Sequence, residues 1–205
     1  MDKRMLLGLA IALILALGIG RCVHRRASIA SPVPRELNQV IGEELARATA
    51  ELMGESGNLL LISTERSPYE AQNLGVQIDS FRKALPRGIE IAGQRLVNPP
   101  ADPDNMEVLP AEDLRAILQE ADGIDAVVSM VGMPAGGTMD WYRVSDPPLI
   151  VCAYTLFPVT PDIAQGLAEA DLALVPTDEA VGTVPADETP EERFQRLYTF
   201  RRGGA

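Results

Sequence analysis

Leu59–Ile62, Ala126–Val131, Leu149–Ala153 and Leu172–Val175 are nearly unbroken apolar runs, separated by segments long enough to form helices. A strand with water on one side alternates apolar and polar residues. One that is apolar throughout has both faces covered. Four such runs therefore predict a parallel sheet between two helical layers.

The intervening segments fit that scheme. Leu37, Val40, Ile41, Leu45, Ala48 and Leu52 recur at helical spacing and end at Gly54-Glu55-Ser56-Gly57. Leu74, Ile78, Phe81 and Leu85 share one face of a helix predicted over 69–85, with Pro68 near its first turn. Ile89–Val97 reads as a further strand, and 98–110 is a proline-rich loop. A helix over 111–121 carries Leu114, Ile117 and Leu118, and Thr160-Pro161-Asp162 caps another that runs to Ala170. Residues 190–196 read as helical, and Leu197–Phe200 as an added edge strand. Because crossovers are right-handed, the expected architecture is α/β. It is a three-layer, doubly wound, mainly parallel five-stranded sheet of order 2-1-3-4-5.

Ahead of this domain, Met5 to Gly20 runs sixteen residues without a charge, between Lys3-Arg4 and the cluster Arg21, Arg25 and Arg26. A helix apolar on every face belongs in lipid or in a core. This one spans roughly 24 Å, somewhat under the ~20 residues usual for a crossing. Snorkelling by Arg21 extends it. Basic residues stand where a signal peptidase needs small ones, which favours a retained single-pass anchor over a cleaved leader. The expected organisation is an anchor over 1–26, a linker over 27–36, one α/β domain over 37–200 and a flexible tail over 201–205. Export would put the domain in the periplasm, at the face of an inner (cytoplasmic) membrane, although basic flanks on both sides leave the direction open.

Charge narrows the partners. The chain carries −11, and residues 1–26 hold five basic residues against Asp2, so 27–205 carry −15. So acidic a domain repels nucleic acid and anionic lipid surfaces, and no nucleic-acid partner is expected. His24 is the only histidine and lies beside the apolar segment, which removes Ser-His-Asp and Cys-His catalysis and His-based zinc sites from the domain. Cys152 falls in an apolar strand and reads as an inert buried thiol. With no nucleotide fingerprint, no catalytic residue, metal or resident cofactor is expected.

Ligands of doubly wound sheets sit beyond the carboxyl ends of the strands. The loop after the first strand offers Ser63, Thr64 and Arg66. Its hydroxyls suit either an anion at a helix N-terminus or, through Ser67 and Glu70, a capping box. The loop after the third strand opens at Gly132 and holds Trp141 and Tyr142; Tyr154 follows the fourth strand. These aromatics suit a planar ring, a partner surface or closure of the core.

The stretch from Leu37 to Asp178 resembles one lobe of the type I periplasmic substrate-binding proteins. The likeness rests on Glu51-Leu52-Met53-Gly54-Glu55-Ser56-Gly57-Asn58 leading into Leu59-Leu60-Leu61-Ile62-Ser63, with Asp125–Ser129 and Pro148–Val151 similar to the third and fourth strands. The resemblance implies a non-enzymatic domain binding a small solute. Those proteins close two lobes on their ligand and this stretch supplies one, so a protein partner or homodimer is expected to complete the site. A scaffolding subunit of a membrane complex is the first alternative. A flavin- or nucleotide-binding enzyme is the second, on a likeness of Trp141 and Tyr154 to the stacking aromatics of flavodoxins.

Overall fold

The computed structural model describes residues 34–54, 56–64, 68–98, 109–135, 148–154, 159–177, 185 and 187–203, with side chains omitted over 68–72. Helix α1 (Arg35–Met53) precedes β1 (Gly57–Ser63), α2 (Pro68–Ala84) and β2 (Ile89–Leu96). Then follow α3 (Ala111–Gln119), β3 (Ala126–Ser129), β4 (Leu149–Ala153), α4 (Pro161–Ala168), β5 (Leu172–Pro176), α5 (Pro190–Leu197) and β6 (Tyr198–Arg202).

The sheet has six strands in the order β2-β1-β3-β4-β5-β6. The first five are parallel and take the expected order, and β6 runs antiparallel along β5 from Leu172↔Arg202 to Pro176↔Tyr198. The five-stranded expectation is thus one strand short. Helix α5 hands over to β6 without a loop, leaving no crossover for a parallel return. Tyr198 is buried and Thr199 exposed, the alternation of an edge strand. The strand also passes Phe200 into the segment expected as a tail, where Gly203 N–H donates to Asp171 O at 3.3 Å.

Strand β3 ends two residues earlier than its apolar run. Ser129 Oγ donates to Gly132 O at 2.6 Å and accepts from Val131 N–H at 3.4 Å, bending the chain where the hydrophobic pattern alone continues. In β2 the register slips between Leu59↔Ile91 and Leu60↔Gly93, leaving Ala92 as a bulge.

Both sheet faces are covered. Leu60, Ile62, Val127, Ile150, Cys152 and Val175 join Leu114 and Ile117 of α3 and Ile163 and Leu167 of α4 in one cluster. The alternate positions Leu59, Leu61, Val128, Val151 and Leu174 are also buried. They face the other layer, in which α1 lies against α2 and α5. At the α1–α2 contact Gln77 Nε2 donates to Asn38 Oδ1 at 2.7 Å, and Asn38 Nδ2 donates to Asn73 Oδ1 at 3.4 Å. Buried amides are thereby paired, as burial requires.

The caps are local. Thr160 Oγ1 accepts from Ile163 N–H at the start of α4. At α5 a full capping box joins Thr189 and Glu192. Glu188 beside it accepts from Arg196 Nε at 2.6 Å and Nη2 at 2.8 Å and from Arg193 Nε at 3.2 Å. Those bonds, Arg196's foremost, hold its carboxyl below the usual range. Among the described residues no helix is long and apolar enough to cross a membrane. The apolar stretch at 5–20 lies outside them.

Tyr198 supplies a test of this closing edge. It is 4% exposed, and desolvation pushes its hydroxyl from 10.0 up to about 12. The unfolded chain ionises near the lower value, so the stability from keeping the phenol neutral is complete below pH 10 and is lost as the pH rises towards 12. Two units correspond to about 3 kcal/mol. Urea midpoints of the wild type should fall across that window, and those of Tyr198→Phe should fall much less. An equal fall would show that β6 does not bury this ring.

Candidate functional site

Parallel strands point their carboxyl ends the same way, so the residues that follow β1, β3 and β4 meet at one edge of the sheet. The structure brings Thr64, Gly132 and Tyr154 to that edge. Ser63 closes β1 there as well, yet its hydroxyl is engaged. It is 1% exposed and accepts from Gln94 Nε2 at 2.7 Å, while Gln94 Oε1 accepts from Arg82 Nη2 at 2.7 Å. This chain of bonds ties β1 to β2 and α2, thirty-one positions apart at Ser63 and Gln94, a pairing with no local signature.

Gly132 and Tyr154 form the centre of the arrangement. Gly132 has φ +85°, a conformation that side chains other than glycine's resist. A Cβ there would lie 2.9 Å from Tyr154 Cδ2. The tyrosine ring therefore covers the glycine backbone just beyond the ends of β3 and β4, and Tyr154 N–H donates to Leu174 O at 2.9 Å. The ring is 5% exposed within the apolar cluster. The flavodoxin likeness needs Tyr154 standing free to stack on a cofactor, and this buried ring does not. Burial also raises the Tyr154 pKa.

Two hydroxyls stand out. Tyr154 Oη and Thr64 Oγ1 are buried without a hydrogen-bond partner in the structure. Arg66, Trp141 and Tyr142 lie outside the described residues, as does Ser67. Among the described residues no group of three or more His, Cys, Asp or Glu side chains is placed to hold a metal. Cys152 is fully buried in β4, and desolvation pushes its thiol far up, which leaves no thiolate for chemistry.

One neighbour was missed from sequence. A Cβ on Gly166 would run into the backbone oxygen of Pro134, so α4 rests on the chain just beyond Gly132. A glycine inside a helix signals only a propensity cost, and nothing local reveals what approaches it.

No protein-family model matches the chain, and no curated protein matches it by sequence. Solved structures do match. The XylFII molecule superposes with a TM-score of 0.50 at 15% identity, covering 82% of this chain and 61% of that one. An ABC transporter solute-binding protein from Burkholderia graminis, in complex with D-arabinose, gives 0.49 at 16% identity, with coverages of 67% and 47%. A XylFII–LytSN complex gives 0.44 at 17% identity, with 67% and 48%. At such identities the likeness is one of fold, and at that level the resemblance to one lobe of a type I substrate-binding protein holds. This chain spans between 47% and 61% of the length of those three structures.

Proposed function

We propose that this is a non-enzymatic binding domain that takes a small solute at the carboxyl edge of its sheet. On this reading the 5–20 segment tethers it to the inner membrane, the domain lies on the extracytoplasmic side, and the facing wall of the site comes from a partner chain or a second copy. The observation that carries the proposal is the convergence of Thr64, Gly132 and Tyr154 on that edge. Two-layer-covered parallel sheets bind ligands at such edges, where loops are free to diverge while the sheet stays fixed. The XylFII likeness supports the fold half of the reading.

Thermal unfolding of the purified full chain against neutral pentoses, hexoses and inositol tests the solute. A binder present at a hundredfold its Kd adds about 2.7 kcal/mol to the native state and raises Tm accordingly. Should no member of the panel raise Tm at saturating concentration, the solute reading fails. The edge would then be better read as a protein-docking surface of a membrane complex.

A further inference from the structure

Residues 27–205 carry −15, but not evenly. From the last turn of α2 through β2, Arg82, Lys83, Arg87 and Arg95 stand against Glu90 alone, so 82–95 carry +3 and the remainder −18. All four basic side chains are exposed. Arg82 bonds to the neutral Gln94 amide, and Arg95 pairs with Glu120 at 3.4 Å in solvent, where such a pair is weak. Lys83 and Arg87 form no ion pair among the described residues. The negative end of the α2 dipole accounts for Arg82 and Lys83 in its last turn. It does not account for Arg87 and Arg95 beyond it.

The same two elements form an open apolar groove of about 490 Å³, where Leu85, Ile89 and Ile91 sit beside Arg82 and Gln94. The bulge at Ala92 brings Gln94 and Leu96 to the face of Ile89 and Ile91, since their β1 partners Gly57, Leu59, Leu61 and Ser63 alternate regularly. Leu96 is 54% exposed, and no other large hydrophobic residue among those described is exposed. The row from Ile89 to Leu96 covers roughly 20 Å, longer than a small solute. We infer that this groove seats an acidic amphipathic helix of a partner protein. Its apolar face lies on the Ile89–Leu96 row, and its carboxylates meet Arg82, Lys83, Arg87 and Arg95. A helix of about fourteen residues matches that length. It would lie beside α2 as α2 lies beside α1, extending that layer past the edge of the sheet. A strand cannot add there, because the bulge breaks the line of backbone groups. An anionic bilayer repels the −18 carried by the rest of the domain. A second copy is disfavoured as well, since a two-fold contact sets the same basic patch against itself.

This docking is independent of what the carboxyl edge binds, and its failure leaves the solute reading as it stands. The test presents the immobilised full chain, in mild detergent, to a display library of random peptides of about sixteen residues, enough for about four helical turns. Enriched sequences should be net negative, with Leu, Ile, Met or Phe at helical spacing. Their binding should weaken with added salt. Affinity should fall roughly tenfold for the double variant Lys83→Glu/Arg87→Glu and for Leu96→Asp. All three positions are exposed, so the urea midpoints of both variants should match the wild type, which separates lost docking from lost fold. Enrichment of neutral or basic peptides, or of acidic ones whose affinity survives both variants, would overturn the assignment. Vesicles of phosphatidylcholine with phosphatidylserine that bind through the same charges, with no acidic peptide enriched, would make the patch a lipid contact instead. A dimer in sedimentation that the double variant dissociates would give the groove to a second copy.

Discussion

Gly42→Val should cost about 3 kcal/mol, the upper end for overpacking, because the obstacle is backbone rather than a side chain able to turn away. Even a Cβ at this position would run into Gln77 O, and it would come within 2.9 Å of Phe81 N and of Ser80 Cβ. Helices α1 and α2 lie against one another at this glycine, and a branched side chain would have to lever them apart. That would also break the bond between Gln77 and Asn38 beside it. A urea titration of the full chain in mild detergent, followed by circular dichroism, gives the measurement. The counterpart is Gly75, inside α2, where a Cβ would meet nothing within 4 Å. Gly75→Ala should gain about 0.5–1 kcal/mol, chiefly by restricting the unfolded chain. A midpoint for Gly42→Val at or above that of the wild type would show that the close approach at Gly42 is wrong.

Phe81→Ala should be costlier still, about 3–5 kcal/mol. The ring is fully buried on α2 and is among the largest side chains with no exposure. Its removal leaves a hole that fixed helices and sheet cannot close, so a cavity cost adds to the lost transfer free energy. The urea midpoint should fall while the slope of the transition stays the same. A loss below about 1 kcal/mol would mean that the layer relaxes around the hole. The Gly42 and Phe81 substitutions should not add in combination, since the position of a Cβ on Gly42 abuts Phe81 itself.

These two residues show what the sequence alone could reveal. Phe81 belongs to a run of apolar residues at helical spacing, and its burial follows from that period. The four apolar runs likewise mark β1, β3, β4 and β5, and with Ile89–Val97 as β2 the right-handed crossover rule orders all five without any tertiary information. Gly42 is silent because its meaning lies in the neighbour that approaches it. Ser63 illustrates the same limit at the site. Its hydroxyl is legible as a ligand contact or a cap, but its actual partner, Gln94, comes from the next strand. Thr64 and Tyr154 were legible as strand-end residues, but their unpaired state was not. Hydrogen-bond accounting needs every neighbour in place. The early end of β3 belongs to the same class, since Ser129 turns the chain through bonds that hydrophobicity does not register.

The two outer strands bear on how such molecules behave when crowded. An unpaired border of N–H and C=O groups is an invitation for copies to join edge to edge into fibrils. Here one border is kinked by the bulge at Ala92 and carries exposed Glu90 and Arg95, while the other ends in exposed Arg201 and Arg202. Ionic side chains and a broken register leave no flat template for an incoming strand. The domain can therefore be concentrated along a surface without its sheets fusing, and its solubility depends on side chains that take no part in the core.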